Sequence, residues 1–215
     1  LPEDLIALRP MRPRQASKML VANGGIVDAT VSNLPDFLRA GDLLVFNNTK
    51  VIPARLSGQR FRESAHGSGV SHIEVNLIER ISADTWMSLA KPAKRLKVGD
   101  VIRFDDLAAA VVMKNGGEVT LTFDQTGQAL DRGIKAVGAM PLPPYIASKR
   151  PADAQDMDDY QTVFAKQTGA VAAPTASLHF DGELLARLAK MGVNSTEVTL
   201  HVGAGMFLPV KVANI

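Results

Sequence analysis

Residues 169–202 restrict the fold more than any other stretch, because an apolar run, a polar turn, a helix and a β-branched run follow one another there. The apolar run covers residues 170–173 and stops at Pro174. A helix is predicted over residues 181–191, with Asp181 as its N-cap and Gly192 just past its end. Residues 197–202 are predicted as the second strand. Strand, helix and strand in this order make a right-handed unit with parallel strands, so both strands end at one sheet edge.

Polar residues and glycines follow both of these predicted strands. The first strand is followed by Thr175, Ser177 and His179, and the second by His201, Gly203 and Gly205. Open α/β sheets bind ligands at this edge. We therefore expect His179 and His201 to face one pocket. Because imidazole titrates near neutral pH, each is a candidate general acid or base, and the alternative is a hydrogen-bonded histidine that holds the turn.

A second polar cluster follows the compact apolar strand predicted over residues 42–46. It consists of Asn47, Asn48, Thr49 and Lys50, with Arg55 a few residues further on. These side chains are candidates for ligand contacts. The alternative is structural, since Asn and Thr often close a turn after a strand.

Helix signals are absent for roughly seventy residues after about Ser57, a length that suits a small barrel domain. Five strands are predicted there, at residues 72–80, 85–90, 100–104, 108–113 and 118–123. Since α/β patterning resumes with a predicted helix at residues 127–137, the barrel is interpreted as an insertion. The predicted fold class is α/β: a sheet domain of residues 1–57 and 134–215 carries an inserted small antiparallel β-barrel of residues 58–133.

The remaining segments give weaker signals. A hairpin is predicted over residues 18–31 and short helices near residues 1–8 and 34–38. Residues 9–18, with four basic side chains, are either a solvated connector or an arm that contacts phosphate. Residues 141–145 are predicted to be extended and to present Tyr145, and the charged residues 149–159 to form an exposed loop.

Composition excludes several classes of protein. The chain has no cysteine, which rules out disulfides, thiol nucleophiles and thiolate metal ligands. It carries 24 Lys and Arg against 22 acidic residues, so net charge alone gives no sign of nucleic acid. No membrane span or signal peptide is recognisable, and we expect a cytoplasmic, soluble protein. Leu1 is not an initiator residue and Ile215 follows a strand-like segment, so we expect sequence to be missing beyond Ile215.

Motifs for common chemistries are weak. Ser177 and His179 would share a face of an extended segment, which raises the hypothesis of a serine hydrolase, but the G-x-S-x-G elbow is lacking. No zinc pattern, P-loop or G-x-G-x-x-G occurs, and no metal is expected. His66 and His72 have no predicted role. The residues by themselves thus predict a ligand pocket at a sheet edge and a barrel, without identifying a reaction.

Six sequence blocks, in the same order along almost the whole chain, resemble the S-adenosylmethionine:tRNA ribosyltransferase-isomerase family of queuosine biosynthesis. They are LPEDLIA, DLLVFNNTKVIPARL, PLPPYI, YQTVFA, GAVAAPTASLHF and VTLHVGAGMFLPVKV. The resemblance implies transfer and isomerisation of the ribosyl group of S-adenosylmethionine onto 7-aminomethyl-7-deazaguanine at the tRNA wobble position. The resemblance implies further that epoxyqueuosine forms and that adenine and methionine are released. It also implies that the fold is an α/β domain with an inserted barrel. Two positions depart from the family pattern: Ser177 replaces a glycine, and Met206 replaces a threonine.

In this reaction, His179 and His201 are expected to act as acid and base. Aromatic faces suit a sulfonium, which makes Tyr145, Tyr160 and Phe180 candidates. The second polar cluster is expected to contact bases, phosphate or the methionine carboxylate, and Thr175, Ser177, Gly203 and Gly205 to line the pocket. The expected contacts to tRNA are Lys91, Lys94, Arg95, Lys97, Lys149 and Arg150. A monomer is expected. Two alternatives stay open: a non-catalytic RNA-binding barrel protein and a Ser/His hydrolase.

Overall fold

The computed structural model describes residues 2–22, 24–64 and 67–203. The chain divides into two compact units, and each is described by itself. The first contains Leu1–Val51 and Pro144–Val202, and the second is built on Ile52–Pro143. The second unit therefore extends beyond residues 58–133 at both ends.

Twelve strands and four α-helices occur in the described residues. The strands are β1 (Lys18–Ala22), β2 (Ile26–Thr30), β3 (Leu43–Asn47), β4 (Thr49–Val51), β5 (Arg55–Ser64), β6 (Gly67–Arg80), β7 (Thr85–Lys91), β8 (Val101–Phe104), β9 (Leu107–Asn115), β10 (Glu118–Phe123), β11 (Gln167–Ala170) and β12 (Asn194–Val198). The helices are α1 (Gly127–Val137), α2 (Pro144–Ala147), α3 (Asp156–Asp159) and α4 (Gly182–Lys190). Short 3-10 helices cover Glu3–Leu5, Arg14–Ala16, Val31–Phe37, Ala93–Arg95 and Thr175–His179.

The first unit contains three pairs of strands. β1 and β2 form the predicted antiparallel hairpin, and β11 and β12 run parallel to β4 and β3 respectively. The two strands that flank α4 therefore each pair with one half of residues 43–51 and not with each other. β12 also begins and ends earlier than predicted, because the β-branched residues at its end are followed by extended chain without strand pairing.

Helix α4 is the centre of the core in the first unit. Leu184 and Leu188 are buried with Val31 and Val193, and half-buried side chains of the preceding segments pack around them. Asp181 caps the helix, because its carboxylate accepts a hydrogen bond of 3.0 Å from the Leu184 amide. The prediction of this helix is confirmed.

The second unit is a closed antiparallel barrel in the order β10-β7-β6-β5-β8-β9. Buried and exposed residues alternate along β7, β8 and β10, as expected when one strand face lines the interior. The fully buried side chains include Leu56, Ile73, Leu77 and Phe104. Helix α1 has the predicted bounds and buries Leu130 and Ile134.

The prediction of five barrel strands was wrong, because the barrel has six. The missed strand is β5, which pairs with β6 along ten residues and with β8. Its sequence, RLSGQRFRES, is polar, and Arg60 points to a buried position where alternation favours an apolar residue. The sequence therefore lacked the apolar pattern by which the other strands were recognised.

Other local predictions need correction. Tyr145 does not lie in an extended segment, as was predicted; it lies in α2, since Pro144 starts a helical turn. The helices predicted near residues 1–8 and 34–38 are 3-10 helices. Within the described ranges, no helix is long and apolar enough to cross a membrane.

The barrel unit begins and ends at a close contact between two chain segments. The Arg55 amide donates to the Ala139 carbonyl at 3.1 Å, and the Ala139 amide donates back to the Arg55 carbonyl at 2.8 Å. Gly138 lies beside this bridge, where a Cβ would be 2.0 Å from the Pro53 carbonyl oxygen. Only a residue without a side chain fits there.

We predict that Gly138→Ala lowers the free energy of unfolding of the barrel by about 3 kcal/mol, because backbone must move to admit the methyl group. Trp86, the sole tryptophan, is buried in this unit, so its fluorescence during urea unfolding measures the effect. Gly117→Ala is the control, since a Cβ there meets no atom within 4 Å. Equal stability of the two variants would contradict the prediction.

Candidate functional site

Asn47 and Thr49 lie where β3 passes into β4, and their polar groups bind residue 200. The Asn47 side-chain amide donates to the Leu200 carbonyl at 2.8 Å, and its oxygen accepts from the Leu200 amide at 3.2 Å. The same oxygen accepts from the Thr49 amide at 3.2 Å, and the Thr49 hydroxyl donates to the Leu200 carbonyl at 3.4 Å. This arrangement holds the chain directly before His201.

Asn48, between them, is buried and bonded on both sides. Its backbone amide donates to the Val198 carbonyl at 3.0 Å, and its backbone carbonyl accepts from the Gln167 amide at 3.0 Å. The side chain donates to Glu197 at 3.2 Å and accepts from the Thr199 hydroxyl at 2.8 Å. Hydrogen bonds from Lys166 and then from Asn48 lower the pKa of Glu197. The amides predicted to contact bases are thus engaged in the protein's own contacts, whereas Lys50 is exposed.

His201 is exposed, and its ring lies against the backbone of Gly169. A Cβ on Gly169 would be 3.1 Å from the imidazole Cε1 and 3.3 Å from Nδ1. On the other side of the histidine, the Val171 amide donates to the Val202 carbonyl at 3.2 Å. The backbone is therefore held immediately before and immediately after the imidazole.

The turn after β11 is a 3-10 helix and not an extended segment. Ser177 is buried, while Thr175 and His179 are exposed. Since a 3-10 helix has three residues per turn, positions two apart point in different directions. The expectation that Ser177 and His179 share a face was wrong. In the part of the chain that the structure describes, no hydrogen bond joins His179 to Ser177 or to His201.

Phe180 belongs to an aromatic cluster below the two parallel strand pairs. Phe46 and Phe164 stack with ring centroids 3.9 Å apart, and Phe180 meets Phe46 edge-on at 5.1 Å. Phe46, in β3, and Phe164, in the turn before β11, are buried and were not singled out, because buried apolar residues carry no signal of a site. Part of the surface of the Phe180 ring is therefore covered by the neighbouring aromatic rings.

The two tyrosines differ in environment. Tyr145 is exposed, but Tyr160 is 6% exposed, and among the described atoms its hydroxyl has no hydrogen-bond partner. Burial raises the pKa of Tyr160; the nearby Ala173 backbone opposes this rise without reaching hydrogen-bond geometry. Tyr160 is thus a core residue in this structure.

Most of residues 149–159 are exposed, as predicted, but Asp156 and Asp159 are buried in an ionic network that binds this segment to the N-terminal residues. Asp156, whose side chain is 2% exposed, accepts from Arg150 at 2.6 Å and from Arg9 at 3.0 Å. Arg12 pairs with the buried Asp159 at 2.7 Å. Arg9 and Arg12 of the basic N-terminal segment are therefore paired with carboxylates, although the Arg12 side chain remains 65% exposed.

Arg14 and Gln161 extend this network towards the turn that carries His179. Arg14 donates to the carbonyls of Gln161 at 2.7 Å and Leu178 at 3.4 Å. The Gln161 side chain forms two hydrogen bonds with the backbone of Val51, at 2.6 and 3.0 Å. Gln161 was not singled out from the sequence, and Arg14 was predicted only as part of the basic segment 9–18, because the partners of both residues are more than one hundred positions away.

In the barrel unit, the basic loop at residues 91–100 is held rigidly. Buried Arg60 donates to the Arg95 carbonyl at 3.0 Å, and Lys114 donates to the carbonyl of buried Leu96 at 2.8 Å. Burial tends to raise the pKa of Asp100, but hydrogen bonds from Arg62 and the Lys97 amide lower it overall. The four cations of the loop, Lys91, Lys94, Arg95 and Lys97, are all exposed.

Some predicted site residues have other partners or fall elsewhere. Arg55 pairs with Glu74 at 2.9 Å, and Lys149 pairs with Glu3. A Cβ at Gly203 would meet no atom within 4 Å. Gly205, Met206 and His66 lie outside the described residues. Among described residues, no group of three His, Asp or Glu side chains is arranged to hold a metal.

Two open grooves occur in the first unit. One, of about 760 Å³, runs beside the β1–β2 hairpin and is lined by Lys18, Asp28 and Asn33 among others. The other, of about 560 Å³, lies between residues 10–14 and residues 158–163. Neither groove is lined by His179 or His201, and both histidines are exposed.

Together these features define an α/β protein with an inserted closed barrel, an exposed histidine at the end of a parallel strand pair and a braced basic loop. The family model described as "Queuosine biosynthesis protein" matches residues 1–215, and the chain belongs to this family.

Relatives agree with this assignment. The S-adenosylmethionine:tRNA ribosyltransferase-isomerase of Ruegeria pomeroyi is 56% identical over 100% of this chain and 62% of its own length. The protein of the same name from Methylobacterium radiotolerans is 58% identical over 98% of this chain and 60% of its own. A solved structure of S-adenosylmethionine tRNA ribosyltransferase from Thermotoga maritima, 30% identical, covers 94% of this chain and 56% of that chain with a TM-score of 0.35. The chain thus spans about three fifths of the length of the two curated relatives.

The ionic network around Asp156 predicts a pH-dependent stability. Burial tends to raise the pKa of Asp156, but the hydrogen bonds from Arg150 and the Asp153 amide lower it overall. A carboxyl group with a lowered pKa stabilises the folded state above its unfolded-state pKa, and this stabilisation is lost as the pH falls below about 4.

We predict that Asp156→Asn lowers the free energy of unfolding by about 2–3 kcal/mol at pH 7, because the arginines lose a buried charged partner. The difference from the wild type should shrink as the pH falls below about 4. Both tyrosines lie in this unit, so NMR signals of labelled tyrosine report its unfolding in urea. Asp158→Asn, at an exposed neighbour, is the control. A difference between Asp156→Asn and wild type that is independent of pH would refute the electrostatic explanation.

Proposed function

We propose that this protein transfers and isomerises the ribosyl group of S-adenosylmethionine onto 7-aminomethyl-7-deazaguanine at the wobble position of tRNA. The products are epoxyqueuosine in the tRNA, adenine and methionine. The observation that carries the proposal is the family match over the whole chain, together with the name that the relatives share. S-adenosylmethionine is then a substrate and not a resident cofactor, and the reaction needs no metal.

His179 and His201 are the proposed acid and base. The positive sulfur makes the adjacent ribose C5′–H acidic, so a base of moderate strength can remove this proton. The departing adenine must receive a proton, which a second group supplies. Exposure of both imidazoles supports the proposal, since each is accessible to a substrate that binds from solvent. Tyr145 is also exposed, so its ring is accessible to a sulfonium.

The proposed contact with tRNA is the basic loop at residues 91–100. Its four cations are exposed, and its backbone is fixed by Arg60, Lys114 and Asp100. A fixed loop loses little conformational freedom when it binds, so its charges are available to phosphate at low entropic cost. Arg150 is less suited, because it is bound to Asp156. We also propose that the protein acts as a monomer in the cytoplasm.

The alternatives receive less support. A serine hydrolase needs an accessible nucleophile next to its base, but Ser177 is buried and makes no hydrogen bond to His179. A non-catalytic RNA-binding protein would use the same basic loop and would have no need of S-adenosylmethionine. The two proposals differ in the small molecule consumed.

The decisive assay incubates the intact protein with S-adenosylmethionine and precursor tRNA and measures free adenine by mass spectrometry. We expect adenine release that depends on both substrates. His179→Ala and His201→Ala should each lower the rate by about 100-fold or more, the usual contribution of an acid or base. Ser177→Ala should retain most of the rate. Binding of tRNA without adenine release would favour the non-catalytic alternative, and histidine variants within about tenfold of wild type would refute their role.

For tRNA binding, we predict that affinity falls steeply with salt and that the triple variant Lys94→Gln, Arg95→Gln, Lys97→Gln weakens it. If all three cations contact phosphate, the slope of log affinity against log salt should become shallower by about 2–3. The hydrogen bonds that fix the loop use backbone groups of Arg95 and Lys97, so they should persist in the variant. A control with the same charge change replaces the exposed Arg132, Lys135 and Lys190 by Gln. Equal slopes for both triple variants would exclude the loop.

A further inference from the structure

Hydrogen bonds hold the backbone on both sides of His201, although its imidazole has no hydrogen bond in the described structure. Its neighbour Leu200 is bonded through both its amide and its carbonyl to the Asn47 side chain, at 3.2 and 2.8 Å. Its other neighbour, Val202, accepts a hydrogen bond of 3.2 Å from Val171. The backbone on either side of the imidazole therefore has little freedom to rotate.

The ring itself rests on Gly169, whose φ is +135°. Residues with a side chain rarely adopt this backbone conformation, which is the first reason why glycine is favoured here. The second reason is steric: a Cβ would approach the imidazole Cε1 to 3.1 Å, closer than ordinary carbon contacts. The absence of a side chain at residue 169 creates the space in which the ring lies.

We infer that Asn47 and Gly169 are positioning residues that hold the His201 imidazole in one orientation. Asn47 fixes the backbone from which the ring projects, and Gly169 leaves room for the ring. This assignment differs from the expectation that Asn47 contacts the substrate. It rests on the proposed function insofar as the orientation serves the reaction, because a displacement of about 1 Å at a catalytic group can cost about 100-fold in rate.

The inference is tested by kinetics with Asn47→Ala and Gly169→Ala in the intact protein. For adenine release, kcat should fall about tenfold to 100-fold in both variants, while the KM values for S-adenosylmethionine and tRNA stay within about twofold. Gly41→Ala is the control for backbone strain, since Gly41 has φ +93° and a Cβ there meets no atom within 4 Å. Asn115→Ala is the control for loss of an amide, at the exposed end of β9.

A double-mutant cycle separates positioning from other roles. If both residues act through the imidazole, Asn47→Ala and Gly169→Ala should have little further effect on kcat in the His201→Ala background. Effects that multiply with that of His201→Ala would overturn the inference. An Asn47→Ala variant with a raised KM and an unchanged kcat would overturn it as well, in favour of substrate contact.

An NMR measurement decides the structural part without reference to activity. In protein labelled with 13C-histidine, the Cε1–H signal of His201 is identified by its absence in His201→Ala. Asn47→Ala and Gly169→Ala should shift this signal and leave that of His72 unchanged, whereas Gly41→Ala should shift neither. An unshifted His201 signal would overturn the inference. If His201→Ala retains full activity, the proposed role of this histidine fails, and the NMR result still decides whether the two residues hold the ring.

Discussion

The first unit depends on Asn48, the single residue between β3 and β4. Its backbone bonds the end of β12 on one side and the start of β11 on the other, and its side chain binds Glu197 and Thr199. Both parallel strand pairs therefore meet at one buried amide residue. Because a buried polar group without partners is costly, this position requires all of these contacts to form together. The chain before His201 is placed as a consequence of this junction.

Elements with strong local signals were predicted correctly from the sequence. Helix α4 has an N-cap at Asp181 and a glycine with positive φ at Gly192, and the β1–β2 hairpin has glycine at its turn. Such signals act within a few residues, so they survive in any tertiary context. Strand β5 was missed because burial of Arg60 depends on Ser71 and on the carbonyl of Arg95, which lie elsewhere in the sequence.

The sequence predicted which strand ends carry the candidate residues but not how their polar groups are bonded. Strand ends indicated residues 47–50 and 201, and the structure connects them through Asn47 and Leu200. The sequence did not show which polar side chains are already hydrogen-bonded to other residues of the protein. Arg9, Arg14 and Gln161 find partners that are distant in sequence, and no periodicity or motif encodes such pairs. The buried state of Asp156 and of Tyr160 follows from the same long-range contacts.

The bridge between Arg55 and Ala139 has a consequence for how the chain can fold. The first unit is composed of two segments, and the intervening barrel would otherwise be a long loop whose closure costs entropy. Once the barrel has folded, the bridge brings the two ends of this loop together. The remaining segments then behave almost as if they were directly linked. The effective sequence separation between β3 and β4 and their partner strands is thus reduced. Folding of the barrel first would therefore accelerate folding of the first unit.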